Sequence, residues 1–452
     1  MTDTADLLRQ APLYRVLHAL ARGEVSSEAL TGACLAAIAR DHALNAWTHV
    51  DAAAALAAAR ASDARRAAGQ ALGRLDGVPL AIKDNFDVAG MPTSLGLSGR
   101  REAAREDAQV VRRLRGANAV LLGKTNLDEG AFGTVGRNRH FGDVKNPLRP
   151  DLASGGSSAG SAVAVAAGHA IAALGSDTLG SIRIPAAFCG VIGHKPTFGE
   201  LSCRGLSPAL RRLDCPGLIA RSVEDISLLL PVLAGYDAGD PRSRKRRVPL
   251  APPDWAPGQL RAGIVSDLPA LGVSAEAAER FAAAMARVAP VFGSAQPVAL
   301  QIAPLDIAAI RRAALLLMEA EILAAHGDAL QGASEHLLGL LAYAEKKSAA
   351  DFARADRRLD AYVVKVRQLF ESFDVLLLPT CPSLPPVYGA PEPANLADLT
   401  ALASLAGCPA LSLPLPDGAG LQLVGAPGSD LRLLELGEIL CAVVDCEEPA
   451  SA

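Results

Sequence analysis

An α/β fold with a mainly parallel sheet is the class that the sequence predicts, and three observations predict it. Short apolar runs bounded by glycine and polar turns read as buried strands, at Gly77–Lys83, Ala119–Leu122, Phe373–Pro379 and Leu411–Pro414. Segments with apolar residues at helical spacing stand between them, and such alternation is the pattern of an α/β sheet with crossover helices. Half of the 452 residues are hydrophobic and only 20% are charged, enough apolar surface to offset the ordering entropy of a large core.

The elements follow in order. Residues 1–70 read as helices: Ser26–Ser27 offer a hydroxyl cap to a segment running to Ala39, and Ala52–Ala68 is rich in alanine, the best helix former. The texture changes at Leu75. The run Gly77-Val-Pro-Leu-Ala-Ile-Lys83 ends in Asp84–Asn85, a strand closing in a polar turn. A helix over Ala108–Arg115 and the strand Ala119–Leu122 come next. The densest small-residue stretch runs from Ser154 to Ala173; its glycines and serines lead straight into the apolar Val163–Ala167, so it is no flexible linker. A turn over Gly175–Ser181 then feeds Ile182-Arg-Ile-Pro185, where Pro185 suits the first turn of a helix. Asp237–Pro253 carries Arg242, Arg244, Lys245, Arg246 and Arg247, but without interleaved aromatics and with prolines at its flanks it reads as a solvated loop. Residues 305–373 are helical by spacing, after which strand texture returns. That return predicts one sheet with a long helical insertion rather than two independent domains.

Composition excludes several functions. The formal charge of −4 gives no global basic field for nucleic acid or an anionic membrane, and aromatics at 4% supply no base-stacking platform. The eight cysteines are dispersed, without C-x-x-C or zinc spacing, so a metal site is not expected. The longest apolar stretch, Ala162–Leu174, is too short to span a bilayer, and the N-terminus shows no leader pattern. A cytoplasmic, reducing location is the expectation. Lysine is scarce, at positions 83, 124, 145, 195, 245, 346, 347 and 365.

Two motifs fall short of the chemistry they suggest. Gly123-Lys124-Thr125 ends like a phosphate-binding loop, but Asn118 stands where its first glycine is required. Gly156-Ser157-Ser158-Ala159-Gly160 satisfies G-x-S-x-G formally. A nucleophile elbow, however, needs an apolar strand before the serine, and Lys145–Asp151 is a polar, proline-bearing loop. Its histidine would have to be His326 or His336, both within helical pattern.

The third motif is more specific. Gly155–Ser161 (GGSSAGS), Asp177–Ala186 (DTLGSIRIPA) and Gly193-His-Lys-Pro-Thr197 occur in order, and together they resemble the amidase signature family. Gly77–Asn85 and Gly123–Asn126 upstream, with Asp374–Pro379 and Gly420–Gly425 downstream, resemble its other segments, so the likeness covers nearly the whole chain. It implies one amidase signature domain: a central mixed sheet covered by helices on both faces, with N-terminal helices over 1–70 and a catalytic core over about 71–235. A helical substrate funnel over about 250–373 and a sheet-closing segment over about 374–445 complete it.

The resemblance also implies a Ser–cis-Ser–Lys triad. Ser181 matches the nucleophile, Ser157 the bridging serine after a cis peptide bond, and Lys83 the buried base. The chemistry is coherent, because a lysine can deprotonate a serine at neutral pH only if burial drives it toward its neutral form, and Val78–Ile82 is an apolar setting. The turn Thr178, Leu179, Gly180 and Ser181 would supply oxyanion N–H groups. Ser158, Asp177 and Arg183 are implied supports, and Ala131 matches a small acyl-pocket residue. Leu179 and Ala159 depart from the glycine that many members carry; at 179 this places a bulky side chain in the oxyanion turn, keeps the backbone N–H and leaves the shape of the acyl pocket open. No cofactor and no metal are implied. The expected reaction is hydrolysis of a small-molecule amide, with a homodimer or a small accessory subunit compatible with it. The alternatives are a non-catalytic binding module, which would lose the nucleophile or the lysine, and the glutaminase subunit of a tRNA-dependent amidotransferase. That subunit grips glutamine's carboxylate through an arginine-bearing helical segment, and Leu337–Ala350 has no arginine. Hydrolases of allophanate, carboxybiuret or aliphatic amides stay open.

Overall fold

The computed structural model describes residues 4–99, 102–245, 255–300, 306–444 and 446. Its strands are β1 (Trp47–Val50), β2 (Pro79–Lys83), β3 (Val120–Thr125), β4 (Ala172–Asp177), β5 (Ile192–Lys195), β6 (Cys215–Ala220), β7 (Arg261–Val265), β8 (Ser294–Val298), β9 (Val375–Pro379), β10 (Ala410–Pro414) and β11 (Gly420–Gly425). They form one 11-stranded sheet in the order β1-β3-β2-β4-β6-β5-β10-β11-β9-β7-β8. Helices cover both faces, and apolar clusters fill the space between helices and sheet.

The sheet is mixed, as the family resemblance implies, and not mainly parallel as the alternation of strands and helices alone suggests. Pairs β2/β3, β2/β4, β7/β8 and β7/β9 are parallel, and the remaining six are antiparallel. The reason lies in the connections. β10 and β11 are joined by the short turn at Pro416–Gly418, which can only link antiparallel neighbours, whereas a parallel pair needs a long crossover.

Local chemistry sets the other elements. Ser26 caps the helix Ser27–Arg40 by accepting the Ala29 N–H at 3.0 Å, and Asp51 does the same for Ala52–Ala67 through Ala54. β2 is buried at every residue, which explains its unbroken apolar run. Helices Ile307–His326, Glu335–Glu345 and Ala349–Ser372 occupy the segment read as helical. The region before them also contributes β7 and β8, which its sequence did not predict, and residues 1–70, read as helices throughout, also contribute the edge strand β1, held by its antiparallel pairing with β3. Of the basic loop, Arg242 is tied to Asp240 at 3.0 Å and the Lys245 amine lies over the Tyr236 ring, while Arg246 and Arg247 lie outside the described residues.

Candidate active site

The site forms where β2 and β4 end side by side. Lys83, the last residue of β2, has no exposed surface, and its Nζ donates to Ser157 Oγ at 2.9 Å and to Ser176 Oγ at 3.0 Å. Asn85 Nδ2 donates to the same Ser176 oxygen at 2.8 Å. Burial pushes the Lys83 ammonium down to about 7, against the pull of the Asp128, Asp177 and Asp214 carboxylates. The lysine is therefore available as a neutral amine near neutral pH.

Ser157 follows a cis Gly156–Ser157 peptide bond. Its neighbour Ser158 begins the buried helix Ala159–Ala166; the Ser158 N–H donates to the Ser181 carbonyl at 3.0 Å, and its hydroxyl donates to the Ser176 carbonyl at 3.1 Å. These bonds bring the two serine motifs together. Among the described residues no hydrogen bond joins the Ser157 and Ser181 side chains directly. Ser158 is thus turned into the protein, and His326, which an elbow could have used, bonds the Pro208 carbonyl at 2.8 Å. Lys124 belongs to β3 and pairs with Asp84 at 2.7 Å, a buried ion pair rather than a phosphate ligand.

Beyond β4 the chain makes the turn Thr178–Ser181. Gly180 has φ +140°, and a Cβ there would meet Thr400 Oγ1 at 2.2 Å, so both conformation and space demand glycine. Thr400 Oγ1 donates to the Leu179 carbonyl at 2.5 Å. Thr178 Oγ1 donates to Asp214 at 2.7 Å, and Asp214 also accepts the Ala209 and Leu210 N–H groups. Asp177 and Arg183 are completely buried and meet through paired bonds, Nε to Oδ2 at 2.9 Å and Nη2 to Oδ1 at 2.8 Å. Burial alone would raise the Asp177 carboxyl, but the Arg183 charge and hydrogen bonds hold it below its ordinary value. Arg183 also donates to the Thr400 carbonyl, Gln422 Oε1 and Ser404 Oγ.

A cavity of about 460 Å³ opens over this turn. Thr178, Leu179, Gly180, Ser181 and Ala131 line one part of it; Lys83 and Ser157 are not among its lining residues. Its wall also carries Arg137, Arg311, Arg312, Glu319 and Glu392. The Leu179 side chain is buried against the apolar cluster that contains Ala131 and Ile184. Sequence reasoning did not find Ser176, Asn85, Asp128, Asp214 or Thr400. Ser176 sat in plain view between Gly175 and Asp177. Nothing near Thr400 marks it, since its partner lies 221 residues away.

The family model described as Amidase matches residues 29–434. The chain belongs to the amidase signature family. Among its curated relatives is AtzE, a 1-carboxybiuret hydrolase subunit from Pseudomonas sp. (strain ADP), which is 35% identical over 94% of this chain and 97% of that one. A subunit of the glutamyl-tRNA(Gln) amidotransferase of Chloroflexus aggregans is 37% identical, over 94% and 95%. A solved structure from a vestigial protein complex bearing on the origins of an s-triazine catabolic enzyme superposes with TM-score 0.88 at 33% identity, covering 96% of this chain and 98% of that chain. As a family member this protein is an enzyme of amide C–N bonds, a hydrolase. Among the described residues no helix is long and apolar enough to cross a membrane.

Proposed function

We propose that the protein hydrolyses the carboxamide bond of a small molecule through an acyl-enzyme on Ser181. One observation carries this reading: a wholly buried lysine amine, its value lowered to about 7 by burial, sits 2.9 Å from the hydroxyl of Ser157, whose neighbour Ser158 is hydrogen-bonded through its N–H to the carbonyl of the cavity-lining Ser181. Neutral Lys83 takes a proton from Ser157 as Ser157 takes one from Ser181, and Ser181 Oγ bonds to the amide carbon. The N–H groups of Thr178, Leu179, Gly180 and Ser181 face the oxygen that becomes negative. Collapse breaks the C–N bond, and the proton returns through Ser157 to the departing ammonia or amine. Water then attacks the ester, releases the acid and restores Ser181.

A fluorophosphonate that reacts with activated serines tests this directly. The expected adduct is on Ser181, found by peptide mass mapping, and it disappears in Lys83→Ala and Ser157→Ala. An adduct on Ser158, or none, overturns the assignment.

A second reading has its own support. Curated relatives include an amidotransferase subunit, and although Leu337–Ala350 has no arginine, Arg311 and Arg312 reach the cavity wall from the helix Ile307–His326. On that reading the protein would act on glutamine within a larger assembly. Ammonia release from a panel of small amides that includes glutamine separates the two: activity on glutamine alone favours the amidotransferase reading, and activity on other amides by the isolated chain favours the free hydrolase.

A further inference from the structure

The carboxylate of Asp128 is buried between the cavity wall and the Ser157 turn, and neither the sequence motifs nor the proposed relay uses it. On one side it accepts the Gly136 N–H at 3.1 Å and the Arg137 N–H at 2.9 Å. Gly133, Thr134 and Arg137 of that same segment line the cavity. On the other side it lies flat against Gly156: a Cβ built there would stand 1.9 Å from Asp128 Oδ2. The carboxylate oxygen thus occupies the space where the residue before Ser157 would carry a side chain. It is also within electrostatic reach of the Lys83 amine.

We propose that Asp128 is a positioning residue of the relay, holding the Gly156–Ser157 turn against Lys83 and setting the charge environment of the amine. This rests on the reading of Lys83 as base. Around Lys83, whose amine is bonded to Ser157 and Ser176, the charges that act on it are those of Asp128, Asp177 and Asp214. Asp177 is neutralised by Arg183, and Asp214 is engaged by Thr178, Ala209 and Leu210. Asp128 feels the charges of Lys83 and Glu392, with the N–H groups of Gly136 and Arg137 as its hydrogen-bond donors. Burial and the Glu392 charge push its carboxyl up to about 7, so Asp128 and Lys83 change charge over one pH range. An ionised Asp128 favours the ammonium form of Lys83; a protonated one leaves the amine neutral. Glu392, at the cavity wall and bonded to Thr134 N–H at 2.9 Å, therefore acts on Lys83 at one remove.

This charge arrangement predicts shifts of opposite sign. The probe is the rate at which a fluorophosphonate labels Ser181 between pH 5 and 10, which needs no knowledge of the substrate. In Asp128→Asn the amine loses an attracting anion, so the acidic limb of the profile moves to lower pH by about one unit, and the plateau rate falls by roughly tenfold as the turn loosens. In Glu392→Gln the Asp128 carboxyl ionises more readily, and the limb moves to higher pH. Limbs that stay in place, or that move in the same direction in both variants, overturn the proposal. If Asp128→Asn does not fold, the upward shift in Glu392→Gln decides alone, since that side chain is at the rim and keeps an acceptor for Thr134. Lys83→Ala tells the two failures apart. Labelling that survives it refutes the base assignment, whereas labelling lost there with no limb movement in the other variants refutes only the role of Asp128.

Discussion

On the proposed mechanism, Lys83 shows what a buried base costs the fold. Its amine has an ordinary value of 10.5 and is held at about 7 by burial, so between those pH values the unfolded chain binds more protons than the folded one. Stability from this group therefore rises as pH increases from about 7 to 10.5, and the labelling rate rises through about pH 7 as the base becomes neutral. Replacing Lys83 by Met removes the desolvation cost, which outweighs the two hydrogen bonds lost to Ser157 and Ser176. We expect Lys83→Met to melt a few degrees higher than the parent at pH 7, by calorimetry, while Ser181 labelling falls at least ~10³-fold. A lower melting temperature would show that the hydrogen bonds dominate. Combining it with Ser157→Ala should cost little more than either alone, because the residues act as one unit. At this scale motif and chemistry coincide at Lys83, Ser157 and Ser181, whose segments the fold joins through the Lys83–Ser157 and Ser158–Ser181 hydrogen bonds. The sequence was silent on Asp128 and Ser176, whose roles come from contacts made only after β2, β3 and β4 align.

The element that governs the site is the turn between β4 and the helix Arg183–Phe188, with Arg183 as its anchor. A single buried guanidinium bonds Asp177, Thr400, Ser404 and Gln422, and so links that turn to the helix Asp398–Ala406 and to β11. Arg183→Met leaves Asp177 as an unpaired buried charge, and we expect a loss of ~3–5 kcal/mol in urea unfolding. Arg183→Lys keeps the charge but cannot form the paired geometry, so it should recover part of the stability while the Ser181 labelling rate stays depressed. Full recovery by lysine in both measurements would refute a geometric role. Strands β2, β3, β9 and β10 were legible because they are buried runs between turn signals. β7 (RAGIV) and β8 (SAQPV) were not: β8 is an edge strand, mostly exposed and interrupted by Pro297, so no apolar run marks it. Strand direction was illegible for a related reason, since short apolar runs look alike in parallel and antiparallel pairs.

Across the whole molecule, the sheet is two contiguous blocks joined at one seam. β1 to β6 come from the first half of the chain and β7 to β11 from the second, and they meet only where β5 pairs with β10, Ala410 opposite Lys195 through Ser412 opposite Gly193. We propose on this ground that the chain folds as a single domain, because the Arg183 network crosses the same seam and the serine turn lies beside it. Asp430, completely buried, fastens the seam away from the proposed catalytic residues: Oδ1 accepts the Thr197 N–H at 2.7 Å and Oδ2 the Thr197 hydroxyl at 2.5 Å. Asp430→Ala strands that buried N–H, and the expected cost is ~1–3 kcal/mol. The urea midpoint should fall while Ser181 labelling per folded molecule at low temperature stays at the parent rate, since no atom of the relay has moved. If the two halves were independent domains, the variant would split unfolding into two transitions. If labelling dropped with stability unchanged, the seam would itself tune the turn, and Asp430 would belong to the active site rather than to its foundation.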